Sequence, residues 1–208
     1  MNEDYSEKVE NILAQLKKAG IEKIVALSGS VPVERELDSR KIVRESFEVY
    51  KNFKVAIQTG GTNFDIQKYS AEFAKQFGIP LIGIYPSKGE KYKLQGLDFA
   101  LEVKPRFGSS EWGDDSEIFA KLPNGVEMIG GSIGTLIEFG HIMKINDDRE
   151  KQKKKPVYIA PVLVPNSNLF TNHIFNLPLK DSQKEFMGWG PFFEGRTAAE
   201  FLIKKMYN

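Results

Sequence analysis

The chain contains no cysteine and only two histidines, His141 and His173. The first absence excludes a disulfide framework, a thiol nucleophile, a cysteine-bound zinc and an iron–sulfur cluster. The second excludes a zinc held by three histidines. An excess of either charge is also lacking, since 29 Lys and Arg against 28 Asp and Glu leave a formal charge of +1. Nucleic-acid binding as the main role needs a basic excess or a basic face, so nucleic acid is not an expected partner. No apolar run approaches the roughly 18 residues that a membrane helix requires. The start, Met1-Asn2-Glu3-Asp4-Tyr5, has neither the basic nor the apolar region of a secretory signal. A soluble cytoplasmic protein with no membrane partner is the expectation.

What is present suits one well-packed domain. Hydrophobic residues make up 41% of the 208 and aromatics 12%, enough for a globular core. Short apolar runs alternate with segments of helical period. Val9, Ile12, Leu13 and Leu16 stand at helical spacing, and Gly20 follows as a stop, giving an N-terminal helix within residues 1–20. Lys23 to Leu27 reads as a strand. Val43, Ser46, Phe47 and Tyr50 mark a helix that Asp38 or Ser39 would cap. Lys54 to Gln58 is a second strand, Ile66, Tyr69, Ser70 and Phe73 a helix closed by Gly78, and Pro80 to Tyr85 a third strand. The pattern resumes with a strand at Val126 to Ile129, a helix from about Ile133 to Ile145, and a strand at Val157 to Ala160 that Val162 to Val164 would extend. Ala198, Phe201, Leu202 and Met206 close the chain with a helix.

Strands of about five apolar residues, each followed by a helix, build right-handed βαβ units. The predicted fold is therefore α/β: a Rossmann-like three-layer sandwich with a mostly parallel sheet and helices on both faces. Two stretches, 104–124 and 167–193, are polar and turn-rich and read as long loops, the first with Trp112 among charges and the second with Trp189-Gly190-Pro191. The mixed-sign run from Asp147 to Lys155 reads as a solvated helix end.

In such a sheet a ligand sits outside the carboxyl ends of the strands. Three strand ends carry small, turn-forming residues: Ser28-Gly29-Ser30, Thr59-Gly60-Gly61-Thr62 and Gly130-Gly131-Ser132-Ile133-Gly134-Thr135. Glycine permits close backbone approach, and a helix start offers unpaired N–H groups, so the natural guest is a phosphate or carboxylate. The loops match neither the Walker pattern nor G-x-G-x-x-G, which argues against ATP hydrolysis and NAD-dependent dehydrogenation. Glu138 follows Gly134 by four residues, one turn inside the helix that the third loop opens. Two negative charges so close cost energy unless they address different parts of one ligand, as the phosphate and the sugar of a nucleoside monophosphate would.

Gly130 to Glu138 resembles the P-G-G-x-G-T-x-x-E motif of the LOG-type, cytokinin-activating phosphoribohydrolases, proteins also labelled lysine-decarboxylase-like. The Ser28 and Thr59 loops resemble that family's other two loops in order and position, and the resemblance spans roughly residues 23 to 164. It implies a Rossmann-like homodimer that hydrolyses the N-glycosidic bond of a nucleoside 5′-monophosphate to free base and ribose 5-phosphate, with no cofactor. Gly131 to Thr135 would hold the phosphate, and Glu138 would serve the ribose and the attacking water. Gly29, Ser30, Gly60, Gly61, Thr62 and Gly130 would complete the substrate-binding set. Arg106 is the counterpart offered for the family's catalytic arginine. The motif departs from the family pattern in Gly130 for its proline and Ser132 for its second glycine. A non-catalytic protein that binds or senses a nucleotide or other phosphorylated small molecule through the same loops is the alternative.

Two further readings compete. Gly130 to Gly134 also satisfies G-x-S-x-G, which would make Ser132 the nucleophile of an α/β-hydrolase, with Asp147 or Asp148 and His173 completing the triad. Against it, no HGGG-type loop precedes the motif. His141 stands three residues after Glu138, but that pair alone would bind a metal weakly, and no metal site is assigned.

Overall fold

Apolar segments of five to eight residues form the strands β1 (Lys23–Ser30), β2 (Val55–Thr59), β3 (Leu81–Pro86), β4 (Phe99–Val103), β5 (Gly125–Gly130) and β6 (Tyr158–Val162). In this computed structural model, which describes residues 5–188 and 191–208, they make one sheet in the order β4-β3-β2-β1-β5-β6. Met1 to Asp4, and Trp189 and Gly190 of the second long loop, lie outside the described residues. Every neighbouring pair is parallel, which gives the expected Rossmann-like α/β fold.

Strand alternation sends side chains to two cores. Val25 and Leu27 of β1 pack against α2 (Glu36–Tyr50), α3 (Asp65–Phe77) and α8 (Gly195–Tyr207), through Phe47, Phe73 and Leu202 among others. Ile24 and Ala26 face the opposite layer, made by α1 (Ser6–Lys18), α4 (Ser116–Lys121) and α5 (Ile133–Lys151), through Leu16, Phe119 and Ile142. The periodic residues Val43, Ser46, Phe47 and Tyr50 are all buried, as are Ile66, Tyr69, Ser70 and Phe73. Leu13 is not; it stays exposed on α1.

The same alternation turns Glu127, in the middle of β5, toward α2. There Ser46 Oγ and Tyr50 OH donate to its carboxyl at 2.6 and 2.8 Å. Burial pushes its pKa up to about 7, against the lowering effect of these two bonds. Close packing fixes the neighbouring helix as well: a Cβ on Gly195 would lie 1.9 Å from the Ile42 carbonyl oxygen, so α8 begins directly against the α2 backbone.

The sequence expectations are corrected at five places. Strand β4 carries a run, Phe99-Ala100-Leu101-Glu102-Val103, that the sequence reading did not assign. The stretch 104–124 contains α4, and 167–193 contains α6 (Phe170–His173), a 3₁₀ turn at Ile174–Asn176 and α7 (Asp181–Glu185). Helix α2 starts at Glu36 without a side-chain cap, and Ser39 instead donates to the Glu36 carbonyl at 2.9 Å and to Asp65 at 3.1 Å. Helix α5 runs on to Lys151, so the Asp147 to Lys155 run straddles its exposed end.

From β1 the chain moves outward through β2, β3 and β4, then crosses back to place β5 on the other side of β1. The switch point lies between β1 and β5, where consecutive connections leave in opposite directions and open a crevice at the strand carboxyl ends.

Candidate ligand-binding site

Above that switch point lies a cavity of about 350 Å³. The ends of β1 and β2, the segment before α4, and the start of α5 form its walls. Of the residues singled out in the sequence, Gly29, Ser30, Gly60, Thr62, Ser132, Gly134, Thr135 and Glu138 line it. Gly61, Gly130 and Gly131 do not, and each instead permits the backbone path of its loop. Gly61 has φ +66° and sits where a Cβ would meet the β3 backbone at Gly83. Gly131 has φ +91°, and a Cβ there would lie 2.4 Å from Thr135 Oγ1.

The three loops differ in what their N–H groups still have to offer. In the second, Thr62 N–H and Oγ–H both donate to Gln67 Oε1, at 2.9 and 2.7 Å, and Gly61 N–H donates to Thr59 Oγ1 at 3.2 Å. In the first, Val31 N–H donates to the Asp65 carboxylate. The third is open. No side chain caps α5, so its first N–H groups, at Ile133, Gly134 and Thr135, have neither intrahelical nor capping partners. An anion would be held there, at the positive end of a 19-residue helix.

Glu138 stands one turn further along α5, half-buried, and its carboxyl accepts a hydrogen bond from Ser28 Oγ. Burial pushes its pKa up to about 8, the Ser28 bond opposes this, and the nearby Asp115 carboxylate adds to it. At neutral pH Glu138 is therefore mostly protonated, which removes the like-charge conflict with an anion at the helix start. Asp115, just before α4, is buried, and desolvation raises its pKa to about 6. Its acceptors face the backbone N–H groups of Gly113 and of Asp115 itself.

Sequence reasoning missed Ser28 as a partner of Glu138, and missed Phe64, Asp65, Gln67, Trp112 and Asp115 as lining residues. The one signal available was the isolated Trp112 in a long polar stretch. With them, the lining residues include three carboxyl groups (Asp65, Asp115 and Glu138) and no Lys, Arg or His. Arg106 is elsewhere: its guanidinium pairs with Glu117 at 2.6 Å, 61% exposed, beside a separate groove near α1. The hydrolase triad does not assemble either. His173 Nε2 pairs with Asn168 at 2.6 Å, Asp147 accepts from Gln183 at 3.1 Å, and Asp148 pairs with Lys151 at 3.3 Å. Among the described residues no group of three or more His, Asp or Glu side chains is placed to hold a metal ion, and no helix is long and apolar enough to cross a membrane.

No family model matches the sequence, and no curated protein does. Solved structures do match. A structural-genomics target, TM1055, superposes with a TM-score of 0.65 at 17% identity, over 88% of this chain and 99% of that one. A molybdenum cofactor binding protein from Rippkaea orientalis gives 0.61 at 19% identity, over 90% and 98%. The molybdenum cofactor carrier protein of Chlamydomonas reinhardtii gives 0.60 at 17% identity, over 89% and 98%. At these identities the likeness is one of fold.

Proposed function

We propose that the protein binds a small phosphorylated ligand of nucleoside monophosphate type in the crevice between β1 and β5, and holds it without cleaving it. The observation that carries this reading is the uncapped start of α5, whose N–H groups open into the cavity beside a carboxyl kept neutral by burial. The G-T-x-x-E resemblance to LOG-type proteins supports the position of the phosphate. The absence of any Arg or Lys from the lining, with Arg106 engaged by Glu117, argues against turnover through an arginine. Two neighbours of the same fold are described as a binding protein and a carrier protein, and non-catalytic carriage is the reading adopted here.

Hydrolysis of the N-glycosidic bond is the second reading, favoured by one feature. A protonated Glu138 at the cavity wall is a general acid that could protonate a departing base. Incubation with AMP and GMP, followed by chromatography for free base, separates the two. Saturable binding without base release is the expected result. Release of base that disappears in Glu138→Gln would establish the hydrolase instead. Arg106→Ala is expected to leave the affinity for ribose 5-phosphate unchanged by calorimetry, because the residue lies outside the cavity.

A further inference from the structure

Three aromatic side chains stand together, each from a different connection, and two of them, Phe64 and Trp112, line the cavity. Phe64 precedes α3, Tyr92 ends the 3₁₀ turn Ser87–Tyr92 after β3, and Trp112 lies in the segment after β4. Phe64 and Tyr92 have ring centroids 4.9 Å apart, Phe64 and Trp112 6.2 Å, and Tyr92 and Trp112 6.3 Å, the last pair stacked at 27°. They remain open to solvent all the same, with 44%, 38% and 50% of their surfaces exposed. Clustered rings that do not join a core mark a binding surface rather than a packing one.

The segment that carries Trp112 is held in place. Lys88 N–H donates to Ser110 Oγ at 3.0 Å, Lys88 Nζ pairs with Glu111 at 2.6 Å, and Glu111 N–H donates to Asp114 at 2.8 Å. Gly89 lies beside the indole, where a Cβ would make an ordinary contact at 3.4 Å. Phe64 and Trp112 line the same cavity as Asp115, which follows Trp112 by three residues. Asp115 is 92% removed from solvent, being 8% exposed; the backbone N–H groups of Gly113 and of Asp115 itself face its carboxylate, which keeps further lone pairs, and no cation stands among the lining residues.

We infer that Phe64 and Trp112 form a stacking wall for the planar base of the ligand, and that the Asp115 carboxylate accepts hydrogen bonds from the donor edge of that base. The base this chemistry fits is guanine, whose ring N–H and exocyclic amine present two adjacent donors to one carboxylate. Adenine offers the amine alone beside ring acceptors, which a carboxylate repels. The inference rests on the phosphate reading above and adds the identity of the base.

Calorimetric titration of the full chain with ribose 5-phosphate, GMP, IMP and AMP tests it. GMP is expected to bind at least tenfold more tightly than ribose 5-phosphate, roughly the contribution of one stacked ring. Trp112→Ala should abolish that advantage, measured against the variant's own affinity for ribose 5-phosphate, and Trp112→Phe should restore most of it. GMP should also outbind IMP, which lacks the amine, and Asp115→Asn should remove that preference. Equal binding of GMP and ribose 5-phosphate by the wild type, or a GMP advantage that survives Trp112→Ala, overturns the stacking wall and leaves the phosphate site standing. A preference for AMP or IMP over GMP overturns the role of Asp115. Failure of ribose 5-phosphate and of every monophosphate to bind overturns the phosphate reading itself, and this inference with it.

Discussion

Glu127 and Glu138 have the carboxyl pKa values raised furthest on folding, and they act in different places. Glu127 is fully buried and its pKa rises from 4.5 to about 7 on folding. The folded state holds its proton more tightly than the unfolded chain, so its stabilising contribution is full below pH 4.5 and is lost as pH rises through 7. The loss amounts to about 3 kcal/mol at 1.36 kcal/mol per pH unit. Urea midpoints measured from pH 5 to 8 should therefore fall for the wild type, and Glu127→Gln should make the fall shallower, leaving the part that Glu138 and Asp115, whose pKa values are also raised, contribute in the same direction. Glu138 affects binding as well as stability. With a pKa near 8, it ionises above that pH beside the anion at the start of α5. Affinity for ribose 5-phosphate should drop by about tenfold between pH 7 and 9.5, from like-charge repulsion. In Glu138→Gln, titration calorimetry should find no such drop. A wild-type affinity that does not change across that range would mean that the phosphate lies away from Glu138.

At the scale of elements, what was legible in the sequence and what was not follow from the range of the forces involved. Periodicity reports one face of a helix or strand, and it identified five of the six strands and the helices around Phe47, Phe73, Ile142 and Leu202. It missed β4, whose Ala100 and Glu102 break the apolar run. It missed α4, whose six residues are too few to display a helical period. The glycine loops were visible because φ > 0 and close approach demand glycine locally, as at Gly131. The aromatic cluster was not visible, because Phe64, Tyr92 and Trp112 meet only once three crossovers have been folded. That Arg106 sits away from the cavity was not visible for a related reason: motif spacing cannot tell that its guanidinium pairs with Glu117. Two glycine substitutions separate a loop's role from a helix's role. Gly131→Ala forces a Cβ onto Thr135 at the start of α5 and should weaken ribose 5-phosphate binding at least tenfold, at a stability cost of about 1–2 kcal/mol. Gly195→Ala drives a Cβ into the Ile42 carbonyl and separates α8 from α2, at a cost of about 3 kcal/mol or more, since overpacking here meets backbone. It lies across the sheet from α5, so ligand affinity in the folded fraction should be unchanged. Urea denaturation and calorimetry on the same preparations measure both quantities.

For the whole molecule, the cavity draws its walls from both sides of the switch point: the end of β1 and the loop after β2 on one side, the start of α5 on the other, with the segment before α4 closing it. A ligand held there binds only the folded chain, so its binding free energy adds to global stability. At one hundred times Kd the gain is about 2.7 kcal/mol. For a domain of this size each kcal/mol raises Tm by roughly 2–4 °C, so ribose 5-phosphate at that concentration should raise it by about 5–10 °C. The near-neutral composition sharpens the expectation. With no Lys or Arg among the lining residues, an anion bound as proposed would be held by backbone N–H groups rather than by mobile cations. The shift should therefore largely survive 0.3 M sodium chloride, where the Debye length is only about 5–6 Å, and should fall by about half or more in Gly131→Ala. Differential scanning calorimetry with ribose as the uncharged control reads it directly. A shift of equal size with ribose would move the affinity from the phosphate to the sugar and remove the α5 start from the site.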